Sequence, residues 1–235
     1  MKAEELSDLD PFDLFDTEAE RLDAYFSSLR GEEWLRPSRC AGWTIRDVLG
    51  HLAGEELYNH ACLDGDIAGF YQMLRREGVA GGYRGFNEWC VARRRDLPVE
   101  QVLEEWRTAN RDTRTRMRAL GRDAMIDTSV GKYPNGLQAF HYASEYATHA
   151  DDVDAPVTPE EQEARTAWRA RVGRFVLTER HSPVVVEPIN GRYRVSVGQV
   201  SDELSASELV AATVDRLPAD HRLDPTLRES LVVLA

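Results

Sequence analysis

The chain has 235 residues, 42% hydrophobic and 30% charged, which suits one large domain or a medium domain with a small one and excludes an apolar-poor disordered chain. Its 41 acidic against 29 basic residues leave a net charge of −12, which repels phosphate backbones and anionic lipid; neither nucleic acid nor a membrane surface is an expected partner. Three cysteines, Cys40, Cys62 and Cys90, show no CxxC spacing and indicate neither a disulfide framework nor a thiolate metal site, as suits a reducing cytoplasm.

The opening MKAEELSDLDPFDLFD is acidic and has no continuous apolar run, so neither an export leader nor a membrane span is expected. A first helix is predicted over Pro11 to Leu29, where Phe12, Phe15, Leu22 and Phe26 recur near helical spacing. After the loop WLRPSRCAGW, Thr44 and Asp47 form a capping box opening a second helix, TIRDVLGHLAGEELYNHACL, with Ile45, Val48, Leu49 and Leu52 inward and His51 on the flank. Gly78, Gly81, Gly82 and Gly85 mark an irregular connection before a short helical piece around Phe86 to Arg94. Pro98 opens a third helix ending at Gly121, a loop through KYPNG follows, and LQAFHYASEYATHADDV is a fourth helix. These four helices read as an antiparallel bundle.

The pattern changes after Pro156. Thr158, Pro159 and Glu161 open a fifth helix to about Leu177. PVVVEPI and RYRVSV are β-rich runs joined by Asn190-Gly191, a strong hairpin signal. Ser205 and Glu208 open a helix to Leu217, and LRESLVVLA reads equally as helix or strand. The expected architecture is mainly α: a four-helix bundle over residues 1–155 and a small α+β domain over 156–235.

The fourth helix places His141, Glu145 and His149 at steps of four, on one polar face beside Ser144, Thr148 and Asp152. Inside a bundle such groups need partners, and a metal supplies one: Glu145 and His149 grip an ion and His51 from the second helix completes a tripod. Three protein ligands with an open fourth position is the layout of a catalytic zinc site, so His51, Glu145 and His149 are the expected ligands and catalytic residues. Glu-to-His at i+4 is also an ordinary surface pair, and a histidine near an apolar face is often a hydrogen-bonded core residue; spacing alone leaves both readings open.

Other residues have readings of their own. Arg107, Arg111, Arg114 and Arg118 form a stripe that could receive a substrate carboxylate or the hydroxyls of a thiol's sugar, or else a solvated face paired with Glu100 and Glu104. His141, Asp152 and Arg114 are the residues expected to contact a cofactor. Trp34 and Trp43 are expected to pack, Cys40 and Cys62 to fill the core, and Glu55 either to orient His51 or to face solvent.

The run PSRCAGWTIRDVLGHLAGEE, followed by SEYATHADDVD, resembles the N-terminal domain of the mycothiol-dependent maleylpyruvate isomerase family, a DinB-like metal-binding four-helix bundle, over roughly residues 10–155. In that family the His of a GWT…HL motif and the Glu and His of an ExxxHxxD motif bind a divalent metal; here they fall on His51, Glu145 and His149, with Asp152 at the acidic position. The resemblance implies an enzyme that activates mycothiol or a similar low-molecular-weight thiol as a metal-bound thiolate, then isomerises or conjugates a small electrophile. A hydrolase using zinc-bound water, or a non-catalytic metal-binding stress-response protein, are the rival readings. A cytoplasmic monomer or homodimer is expected.

Overall fold

The computed structural model describes residues 3–234. It divides into two compact units, Pro11–Pro156, and Val157 onward together with the described residues before Pro11. Helices dominate both, and among the described residues none is long and apolar enough to cross a membrane.

Helix α1 (Pro11–Ser28) forms as expected, with Phe12, Phe15, Leu22 and Phe26 all buried. Helix α2 (Ile45–Asp64) opens on the predicted capping box: the Thr44 hydroxyl accepts from the Asp47 amide, and the Asp47 carboxylate accepts from the Thr44 amide. Its buried stripe runs through Ile45, Val48, Leu49 and Leu52.

The expected irregular connection after α2 is instead largely helical. Asp66 accepts from the Gly69 amide at 2.9 Å and caps α3 (Ile67–Arg76), whose Phe70 and Leu74 are buried. Helix α4 (Gly82–Arg94) starts four residues before the predicted piece, with Gly81 at its N-cap in the left-handed region at φ +87°. Helix α4 packs against α2 where α2 carries Gly54; a Cβ there would stand 2.3 Å from the Cβ of Cys90, so glycine permits the approach.

Helix α5 (Val99–Leu120) follows Pro98. The predicted KYPNG loop is a correction: β1 (Met125–Thr128) pairs antiparallel with β2 (Gly131–Pro134), and Asn135 already begins α6 (Asn135–Asp152). Each strand is only four residues long, too short for its alternation to stand out. The Asn135 amide donates to the carbonyls of Met117 at 2.7 Å and Gly121 at 2.9 Å, so one side chain satisfies the end of α5 while starting α6. In the bundle α1 packs on α6, and α2 on α5.

Between α2, α5 and α6 the core is polar at one point. The Glu56 carboxylate is 2% exposed and accepts four hydrogen bonds: from Asn110 at 2.9 Å and Tyr146 at 2.9 Å on one oxygen, and from Thr113 at 2.6 Å and Asn59 at 3.1 Å on the other. The Trp106 indole donates in turn to the Tyr146 hydroxyl at 3.0 Å. Every donor is neutral, and together they fix the register of the three helices.

The second unit is α+β, as the sequence predicts. Thr158 and Glu161 cap α7 (Pro159–Glu179). Strands β3 (Val185–Ile189), β4 (Arg192–Val197) and β5 (Val200–Leu204) form an antiparallel sheet in that order. Asn190 and Gly191 both take positive φ, +47° and +77°, as a type I′ hairpin requires. Helix α8 (Ala206–Thr213) stops short of the predicted Leu217, because Asp215 turns to φ +54° and the chain leaves the helix. The ambiguous end resolves as α9 (Pro225–Leu231), whose Leu227 and Leu231 join a core with Val195, Leu204 and Leu209.

Candidate metal centre

Helix α2 contributes His51 and, one turn later, Glu55; α6 contributes Glu145, His149 and Asp152. His51 Nε2 lies 3.5 Å from Glu145 Oε1 and 3.8 Å from Glu55 Oε1. The His51 and His149 rings stand nearly edge to face with centroids 4.8 Å apart. One ligand atom from each of His51, Glu145 and His149 falls within 4.8 Å of the others. Both imidazoles are buried, at 1% and 8% exposure, and the Trp43 ring packs 5.2 Å from that of His51.

The electrostatics of this cluster are those of a site short of positive charge. Burial pushes His51 down to about 4, so its imidazole is neutral and its lone pair free at physiological pH. Burial pushes Glu55 up to about 8, and the Glu145 charge adds to the rise. Burial alone would also lower His149, but its hydrogen bond to Asp152, together with Cys40, carries it up to about 10.

The donor set fits a divalent cation. Asp152 Oδ2 lies 3.2 Å from His149 Nδ1, which leaves Nε2 for the centre, the carboxylate–histidine arrangement that orients metal-bound imidazoles. His51 Nδ1 is buried with no hydrogen-bond partner, so the polar contacts of that ring are those of Nε2, on the side of Glu145 and Glu55. Two imidazole nitrogens and a carboxylate oxygen are the ligands zinc takes in open, three-ligand sites.

Not every expected residue joins this cluster. His141 faces the β2 side, with Nε2 3.3 Å from the Tyr133 hydroxyl. Arg114 is held by Asp16 and by Asn110 Oδ1 at 2.8 Å. Three members of its stripe, Arg114 included, pair with α1 in place of Glu100 and Glu104: Arg107 meets Asp23 at 2.6 Å and Arg118 meets Asp16 at 2.6 Å and Asp13 at 2.8 Å. Local i,i+4 reasoning cannot see these partners, because they lie across the bundle.

Two residues enter that the sequence reading left outside the centre. Cys40 is a correction: it is not a buried filler but half-buried in the loop before α2, its thiol 3.1 Å from Asp152 Oδ2 and 3.8 Å from His149 Nδ1. The backbone brings it there, since the Arg39 amide donates to the Asp152 carbonyl at 2.9 Å. Cys62 does fill the core, and burial raises its thiol to about 11. Tyr83, on the first turn of α4, donates to Glu55 and lies 3.5 Å from Glu145 Oε1. No spacing rule connects it to α2 or α6, and the glycines around it read only as an irregular connection.

A sequence model of the mycothiol maleylpyruvate isomerase N-terminal domain matches residues 15–154, which contain the whole cluster. Among solved structures, one of a mycothiol-dependent maleylpyruvate isomerase, a histidine-to-alanine variant, superposes with a TM-score of 0.51 at 14% identity, over 72% of this chain and 70% of that one. That likeness shows a shared fold. No curated protein matches. Because the matched domain spans more than half of the sequence, the chain belongs to the mycothiol maleylpyruvate isomerase family.

Proposed function

We propose that the chain is a metal-dependent enzyme that uses mycothiol or a related low-molecular-weight thiol to isomerise or conjugate a small electrophile in the cytoplasm, with His51, Glu145 and His149 as metal ligands. The observation that carries the reading is the convergence of those three ligand atoms within 4.8 Å in a pocket with both imidazoles buried. Zinc is the ion that this donor set suits best. A divalent cation held by these residues would supply Lewis acidity that lowers the pKa of a thiol, making a thiolate available near neutral pH.

The protein's own groups divide the remaining work. Neutral His51 offers its lone pair, and the Trp43 ring shields it from water. Asp152 fixes the His149 ring. Glu145 is the most open member, with its side chain 24% exposed, so substrate approaches from its side. Addition of the thiolate to a double bond, rotation and loss of the thiol gives isomerisation; retention of the thiol gives conjugation.

Elemental analysis tests the centre directly. About one divalent metal per chain is expected in the purified protein, and His149→Ala should lose most of it, because two remaining ligands hold zinc weakly. Full occupancy in that variant would remove His149 from the ligand set. Turnover should require both metal and thiol; metal-dependent turnover without any thiol would replace this reading with hydrolysis by metal-bound water.

A further inference from the structure

Tyr83 joins an exposed ring to a hydroxyl placed at the centre. Its side chain belongs to a residue 57% exposed, yet the hydroxyl donates to Glu55 Oε1 and stands 3.5 Å from Glu145 Oε1. That same Glu145 oxygen is the one 3.5 Å from His51 Nε2, so the phenol lies one contact away from the converging ligand atoms. The exposures give the direction of entry. The His51, Glu55 and Asp152 side chains are 2%, 7% and 0% exposed against 24% for Glu145, so the centre opens to solvent beside Glu145, where Tyr83 stands.

The hydroxyl is also a donor that can change partners. Its present acceptor, Glu55, is not one of the three converging ligands, so giving up that bond leaves the tripod intact. A phenol titrates far above neutral pH, so the hydroxyl has a proton to donate. An incoming thiol presents a sulfur that carries negative charge and needs a hydrogen bond to replace lost water.

We propose that Tyr83 is a thiol-binding residue, its hydroxyl moving from Glu55 to the sulfur of the incoming thiol. The proposal rests on the thiol reading above, and the experiment separates the two. In cobalt-loaded protein, mycothiol should bring up a sulfur-to-metal charge-transfer band whose titration gives the thiol affinity. Tyr83→Phe keeps the ring and removes only the hydroxyl. It should retain its cobalt and bind mycothiol about tenfold more weakly, the effect of one hydrogen bond to a charged acceptor. If wild-type protein shows no band, the thiol reading fails and Tyr83 with it. If wild-type protein shows the band and Tyr83→Phe titrates identically, Tyr83 is only a cover on the site. Loss of cobalt from Tyr83→Phe would also overturn the proposal, since the hydroxyl would then support the ligands instead of the thiol.

Discussion

Glu55 and Glu56 are neighbours in one helix, both nearly inaccessible, and their surroundings are opposite. Glu56 is saturated by four neutral donors drawn from its own helix, α5 and α6. Glu55 sits with Glu145, two imidazoles and one phenol, where acceptors outnumber donors. The first arrangement is complete as folded and serves to lock helices together. The second holds its carboxyls and imidazoles together only by taking up protons, Glu55 and His149 both being raised, which is the behaviour of a cluster suited to a cation and not of a finished polar core.

Isosteric amides break or sharpen this contrast most directly. Glu56→Gln places an NH2 group where donors already converge, leaving hydrogen bonds unmade in a closed core, and should cost about 3 kcal/mol in denaturant unfolding. A loss under about 1 kcal/mol would show that the network relaxes and does not hold the helices in register.

The next effect is on metal binding. His149 is raised to about 10, so at neutral pH the metal-free centre carries its proton, and a metal must displace it. Affinity, measured against a competing chelator, should rise about tenfold per pH unit from pH 6 to 8.5 and level off only as pH nears 10. Asp152→Asn removes the partner that holds the proton, so the rise should flatten near pH 7. An unchanged slope in that variant would place the displaced proton elsewhere.

The smallest effect belongs to Glu55→Gln. Glu55 is raised to about 8 from an ordinary value near 4.5, so it destabilises the metal-free fold above pH 4.5, increasingly until about pH 8. At pH 7 the folded protein holds this carboxyl largely protonated against its tendency to ionise, and replacing it with an amide that does not titrate should gain on the order of 1 kcal/mol after the weakened Tyr83 hydrogen bond is discounted. The same substitution at two adjacent residues thus carries opposite signs, and equal signs would erase the distinction.

Much of the centre was legible in the sequence. The Thr44–Asp47 box fixes where α2 starts, and with it the face His51 presents; the step of four from Glu145 to His149 survives any small error in helix ends. What stayed hidden came by routes that local patterns do not carry. Cys40 reaches Asp152 because a loop amide bonds to the end of α6, and Tyr83 reaches Glu55 because α4 packs on α2 at Gly54. Helix α3 is ten residues long and β1 and β2 four each, lengths at which apolar periodicity barely rises above chance.

Helix α6 is moored at both ends, by the Asn135 amide on the closing carbonyls of α5 and by the Arg39 amide on the Asp152 carbonyl. A rod so anchored cannot slide along its axis, so Glu145 and His149 behave as fixed jaws. The link from α3 to α4, which carries Tyr83 to the cluster, turns instead on Gly78, Gly81 and Gly82, all with left-handed backbone angles that only glycine adopts readily. The spacing of Glu145 and His149 relative to α2 and α5 is thereby set by backbone and side-chain amides at the two ends of one helix.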